Sequence, residues 1–296
     1  MTTWQPRPGE LLLARCLVTF ATGIAPKVAG MQWFRDTDRN DIQGELPDWP
    51  EGPVYTPHSE GGGRALSAGR TALTALFAVV VGGLETLAGS GSAIKGPSGP
   101  VKTPPEDPEN EVEDFPVMWA APNTLARTLP WQLDRGRRRA SYQTKAFVTD
   151  QRIVLIGYPG GRGSEAEVLW ECDRRDIAAV ERRAYSRDKA DTVIRFTDGS
   201  WCRLHVHTGE WFRYLTIPNE LIPLDALTPG QHRTVDDMVT ESGFSAPPVV
   251  SRRPSGNFLA EQLGPEDPPV GGRISVQRLM GLNGEEVPLQ PGDHDF

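Results

Sequence analysis

Apolar runs of strand length recur at short, turn-punctuated intervals in one part of this chain, residues 141–214. A run over 142–148 ends at Thr149 and Asp150, and a second follows over 152–157. After Pro159, Gly160 and Gly161 come runs over 165–172, 177–183 and 192–197; Asp198 and Gly199 then lead into 200–207. Short runs joined by Asp-Gly or Gly-rich connections predict an antiparallel meander rather than βαβ units. The alternation is clearest in the last run. Cys202, Leu204 and Val206 fall on one side and Trp201, Arg203, His205 and His207 on the other.

Outside the meander the pattern is sparser. Residues 9–21 (GELLLARCLVTFA) suit a buried strand, with a short helix as the alternative. The rest of residues 1–63 reads as irregular. Residues 115–120 (FPVMWA) predict the first strand of the folded domain, and Trp131 a buried side chain in 123–133. Thr208 is placed to cap a short amphipathic helix over 208–216 that closes one end of a small barrel, with Trp211, Phe212 and Leu215 on its apolar flank. Residues 228–242, with Pro229 just inside the start and Gly243 just past the end, predict a second helix. Residues 245–272 read as a Pro-rich disordered linker, and residues 273–280 and 285–289 around Asn283 and Gly284 as a terminal hairpin.

Residues 71–84 (TALTALFAVVVGGL) carry no charge and lie between Arg70 and Glu85. A membrane span needs about 17–25 such residues, so this stretch reads first as an Ala/Gly-rich helix packed on protein. Extension to Ile94 reaches spanning length but places Glu85 in the apolar slab, at a cost of about 2.5–3.5 kcal/mol at its centre. Both readings stay open, a packed helix or membrane association through residues 71–94. Residues 95–114 are a Pro-rich acidic linker with six carboxylates between Glu106 and Asp114, too polar to order themselves by burial.

Composition changes the picture through the distribution of charge. The net charge of −8 divides into −6 over residues 1–122, +5 over 123–217 and −7 over 218–296. The meander is basic inside an acidic chain, which favours an anionic partner: a lipid surface, an acidic protein segment or the chain's own acidic linker. Three scattered cysteines make no disulfide framework, and MTTWQPRPGE lacks the basic patch and apolar core of a secretory signal. A cytoplasmic setting is therefore expected.

The segments TKAFVTDQRIVLIG, CDRRDIAAVE and IRFTDGSWCRL, in this order and spacing, resemble the bacterial pleckstrin-homology-like (GRAM-related) domain over roughly residues 115–217. Thr149, Asp150 and Arg152 match the family's Thr-Asp-x-Arg turn. Ile177, Val180 and Glu181 match its short middle strand, and Phe196, Asp198 and Gly199 its hairpin. The resemblance implies a mainly β fold, a small antiparallel barrel with a capping helix, acting as a binding module. Lipid-binding members carry basic residues in the loop between the first two strands. The corresponding positions here are Arg135, Arg137, Arg138 and Arg139, with Lys145 on the following strand. Arginine forks suit phosphate and carboxylate oxygens.

Catalytic signals are weak by comparison. Cys202, His205 and His207 form C-x-x-H-x-H, but a strand points the cysteine away from both histidines. Residues 89–96 (GSGSAIKG) lack the Gly-Lys-Ser/Thr ending of a phosphate loop, and Gly160, Gly161, Arg162 and Gly163 form a hairpin tip without a helix N-terminus. No nucleophile motif is present. Tyr142, Tyr158, Tyr185 and Trp201 lie near arginines, yet two of them suit a barrel interior, so nucleic acid is not the expected partner. The expectation is a non-catalytic module without metal or cofactor that recognises an anionic partner. The alternative is a membrane-anchored structural or assembly protein held by residues 71–94.

Overall fold

Nine apolar-rich residues, LLARCLVTF, form strand β1 (Leu12–Phe20), and the β-branched and aromatic Val18, Thr19 and Phe20 favour the extended form over the helical alternative. The computed structural model describes residues 4–21, 34–46, 48–50, 116–161, 163–183, 191–206, 214–215, 220–266 and 275–288. Two units divide the chain: Met1–Leu17, Ser141–Arg175 and His207–Phe296 in the first, Val18–Ala140 and Asp176–Val206 in the second. The boundary falls within β1. The described residues are mainly β.

In the first unit, β1 pairs antiparallel with β4 (Gln143–Thr149), β4 with β5 (Arg152–Tyr158), and β5 with β6 (Glu167–Asp173). The β4–β5 turn is fixed by its own side chains. Thr149 Oγ1 accepts from the backbone N–H groups of Gln151 and Arg152, and Asp150 accepts from Leu11 N–H at 2.8 Å. Gly157 on β5 is required by close approach, since a Cβ there would lie 2.0 Å from the Tyr142 hydroxyl.

A second antiparallel sheet of the same unit runs β10 (Glu220–Ile222), β11 (Val249–Arg252), β12 (Phe258–Leu263), β13 (Ser275–Met280). Helix α1 (Pro229–Ser242) begins with a capping box, in which Thr228 accepts from Gln231 N–H and Gln231 accepts from Thr228 N–H, and it ends at Gly243 in the left-handed region. Its Val235 and Met238 are buried in a core with Val250, Phe258, Ala260 and Met280. The helix and terminal hairpin thus follow the sequence expectation, with β13 bridged from Met280 to Glu286.

Residues 245–272 depart from it, because β11 and β12 occupy the first part of the expected linker. Every residue of β12 is buried, including Glu261 and Gln262. Those polar groups are satisfied: Gln262 donates to the carbonyls of Phe244 and Ala246, and Glu261 accepts from the Tyr214 hydroxyl at 2.6 Å and from Gln277. Buried, paired polar residues removed the alternation that would have marked a strand.

In the second unit, β7 (Ile177–Arg183), β8 (Asp191–Phe196) and β9 (Trp201–Val206) form the later part of the predicted meander, which is not continuous because β7 pairs with β8 and not with β6. Two partners share the free side of β9. Val18–Phe20 of β1 pair with Leu204–Val206, and β3 (Met118–Trp119) pairs with Trp201 and Cys202. Arg203 fills the space between them. Its N–H donates to Val117 O, its carbonyl accepts from Ala21 N–H, and its buried guanidinium donates to Ala21 O at 2.8 and 3.2 Å. Beside β3 lies the parallel two-residue β2 (Phe34–Arg35), and Phe20, Phe34 and Trp49 pack edge to face and tilted.

Two expectations are thereby corrected. β3 is a strand, as predicted from residues 115–120, but β4's partners are β1 and β5. The neighbour that precedes β4 in the sheet comes from the N-terminal apolar run, because a two-residue strand offers too short a ladder. Trp131 is half-buried rather than buried. Residues 71–94, the linker 95–114 and most of the helix expected over 208–216 lie outside the described residues. Among the described residues no helix is long and apolar enough to cross a membrane.

Candidate functional site

Pleating places Arg15, Lys145 and Tyr158 on one face of the first unit's β1–β4–β5 sheet. Arg15 stands opposite Phe147, Lys145 opposite both Leu17 and Ile156, and Tyr158 opposite Gln143. Directly opposed residues share a face, so the three polar side chains line up across neighbouring strands. The same face carries the apolar group Phe147, Val154, Ile156 and Tyr158, against which Trp4 packs with ring centroids 4.9 Å apart.

The segment leaving β12 is seated on these side chains. Arg15 Nη2 donates to the carbonyls of Gly264 and Pro265, each at 2.6 Å. Lys145 Nζ donates to Glu266 Oε1 at 2.9 Å, and the Tyr158 hydroxyl donates to the same oxygen. The ammonium also lies 4.6 Å from the Tyr158 ring centroid, a cation–π contact. Both charged side chains are about nine-tenths buried, Lys145 11% exposed and Glu266 9%. The chemistry is complementary in kind: three donors on the sheet face meet three acceptors on the segment. Proline suits such a partner, because it has a carbonyl and no N–H to leave unsatisfied.

A second charged cluster of this unit anchors the N-terminal segment. Glu10 accepts from Arg152 Nε at 2.8 Å and Nη2 at 3.0 Å, from Thr149 Oγ1 at 2.7 Å and from Arg7 N–H at 2.8 Å. The Arg152 hydrogen bonds, against the opposing effect of burial, lower its carboxyl to about 2. Arg152 also pairs with Glu171 and lies 5.8 Å from the Trp4 ring centroid. The Thr-Asp-x-Arg turn therefore has a structural task, with Thr149 closing the turn and Arg152 holding Glu10.

Lys145 is the one residue of the sequence-based set that belongs to the site just described. Arg135, Arg137, Arg138 and Arg139 belong to the second unit, on the turn that follows the short helix Trp131–Leu133. Arg137 is engaged there. Its Nε lies 3.2 Å from the fully buried Asp134 carboxylate, Nη1 donates to Pro50 O at 2.7 Å, and the guanidinium lies over Trp49. Arg138 donates to Gln132 O at 3.1 Å. Asp134 further accepts from Gly136 N–H, so the turn is fixed and its Arg135 and Arg139 are exposed.

Arg15, Tyr158 and Glu266 carried no local signal, since they lie on three segments up to 251 positions apart in the numbering and only the strand register joins them. Cys202 is buried and His205 half-buried on β9, while His207 lies outside the described residues. Among the described residues no three His, Cys, Asp or Glu are grouped to hold a metal ion. Compared with known proteins, the chain matches no protein-family model, no curated protein and no solved structure.

Proposed function

We propose that this chain is a non-catalytic binding module of the pleckstrin-homology-like type that recognises acidic protein segments through Arg15, Lys145 and Tyr158. The observation that carries this reading is the Glu266 carboxylate held on a cation and a hydroxyl while the carbonyls before it are held by an arginine. A carboxylate with two flanking backbone acceptors is what a peptide supplies. A lipid phosphate would supply only the anion. The fold assignment is supported by the meander β4–β5–β6, by β7–β8–β9, and by the pairing of both β4 and β9 with β1. Under it, residues 21–142 are an insertion between the first two barrel strands.

Fluorescence anisotropy tests the reading with the full chain carrying Glu266→Gln, which weakens the resident segment's hold. The probe is a labelled hexapeptide of residues 264–269 (GPEDPP), run beside vesicles with and without phosphatidylserine. Charged hydrogen bonds contribute about 1.5–3 kcal/mol, so adding Lys145→Gln or Arg15→Gln should weaken peptide binding by roughly ten- to a hundredfold. Circular dichroism checks that each variant folds. Absent peptide binding, equal binding after either substitution, or binding to anionic vesicles alone would overturn the reading.

A further inference from the structure

One row of the first unit's sheet carries the site and continues past it. Leu17 on β1, Lys145 on β4, Ile156 on β5 and Val168 on β6 stand opposite one another in successive strand pairs. Their side chains therefore share the face on which residues 264–266 are seated. Lys145 and the buried Ile156 occupy the middle of the row, and its two ends are apolar and exposed, Leu17 at 41% and Val168 at 57%. We infer that Val168 is the apolar half of the site, so that the segments it recognises carry an apolar residue two positions after the acidic one. The inference rests on the reading that this site takes acidic segments, and it adds the second feature of the ligand.

The path of the resident segment selects Val168 over Leu17. Arg15 on β1 holds the carbonyls of Gly264 and Pro265, and the carboxylate of Glu266 is shared by Lys145 on β4 and Tyr158 on β5. The segment thus runs from β1 toward β5, and β6 is the next strand in that direction. Among the described strands β6 pairs only with β5, so a ligand can leave the sheet across its outer edge. Leu17 lies behind the carboxylate, on the strand where backbone carbonyls are held.

Spacing sets the position of the apolar residue in the ligand. Neighbouring strands lie about 4.8 Å apart, and alternate residues of an extended peptide about 6.8 Å apart on one side. A side chain two positions beyond a carboxylate held between β4 and β5 therefore reaches β6, while the residue between them points away from the sheet. A single exposed valine is ordinary surface. What makes Val168 a subsite is continuity: it stands opposite Ile156 of the apolar group beneath the seat, and Ala166 on the same side of the sheet packs against that group.

Fluorescence anisotropy on the full-length Glu266→Gln chain tests this with two labelled peptides, GPEDLP and GPEDSP, which differ only two positions after the glutamate. The leucine peptide should bind roughly tenfold tighter, the gain from covering one apolar side chain. Adding Val168→Thr keeps the β-branched shape and removes the apolar contact, so the two peptides should then bind within about twofold of each other. Leu17→Thr should leave the preference in place, and circular dichroism checks that each variant folds. Equal binding of the two peptides, a leucine preference that survives Val168→Thr, or one lost with Leu17→Thr overturns the inference. So does sedimentation velocity that finds a dimer dissolved by Val168→Thr, because a second copy would then cover Val168. If the peptides bind equally yet still require Lys145, the apolar half falls and recognition of acidic segments stands. If neither peptide binds, both fall.

Discussion

Replacing Glu10 by glutamine removes the charge on which the N-terminal segment, the β4–β5 turn and Arg152 converge, and its effect must depend on pH. The folded carboxyl sits at about 2 against an ordinary 4.5, principally because Arg152 hydrogen bonds to its charged form. A depressed carboxyl contributes stability that is complete above its unfolded value and is lost as pH falls toward the folded one. The difference corresponds to about 3 kcal/mol at pH 7 and roughly half of that at pH 3. Glu10→Gln should therefore destabilise the first unit by about 3 kcal/mol at neutral pH and by clearly less at pH 3. Urea titrations at both values, pulse-labelled by hydrogen exchange and read on peptides from β1, β4 and β5, measure this locally. With an m-value of about 2 kcal/mol/M the neutral midpoint should fall by roughly 1.5 M. Equal midpoint shifts at the two pH values would refute the assignment of the low carboxyl to Arg152.

Three further outcomes follow from packing. Gly230→Ala places a Cβ 1.7 Å from the Asn283 carbonyl oxygen, so hydrogen-exchange protection in α1 and β13 should drop more than in Thr228→Ala. The latter loses a cap, at about 1 kcal/mol, and one exposed hydrogen bond from Thr228 Oγ1 to Leu282 O, and equal losses would contradict the close approach of Gly230 to the hairpin. Arg137→Gln strips the buried Asp134 of its guanidinium and should cost about 3–5 kcal/mol in thermal unfolding of the second unit. Exposed Arg139→Gln should stay within about 0.5 kcal/mol, and similar costs for the two would show that Arg137 is not the anchor of the turn.

Local chemistry explains which parts of this fold are legible in the sequence. Strands β4 to β9 are bounded by Thr149 and Asp150, by Pro159 to Gly161, and by Asp198 and Gly199. Thr228, Pro229 and Gly243 mark both ends of α1. What no local pattern encodes is that residues 12–17 pair with β4 and residues 18–20 with β9. A register between strands more than 120 positions apart is decided by burial on both faces of the sheet. β12 escaped because Glu261 and Gln262 are buried with partners, although the Pro254, Ser255, Gly256 turn before it, with Gly256 at φ +88°, is a hairpin signal. For the site, only the resemblance to lipid-binding pleckstrin-homology-like members points to Lys145. Its partner Glu266 sits in a Pro-rich stretch that composition alone assigns to a linker.

The central claim is that the β1–β4–β5 face is built to hold an acidic segment. Its most direct test is the affinity of the full-length Glu266→Gln chain for the 264–269 hexapeptide, measured by titration calorimetry at low and high salt. Binding should be saturable and one-to-one, weaken as salt rises and be lost with Lys145→Gln. Binding that ignores both salt and Lys145, or no binding at all, would contradict it.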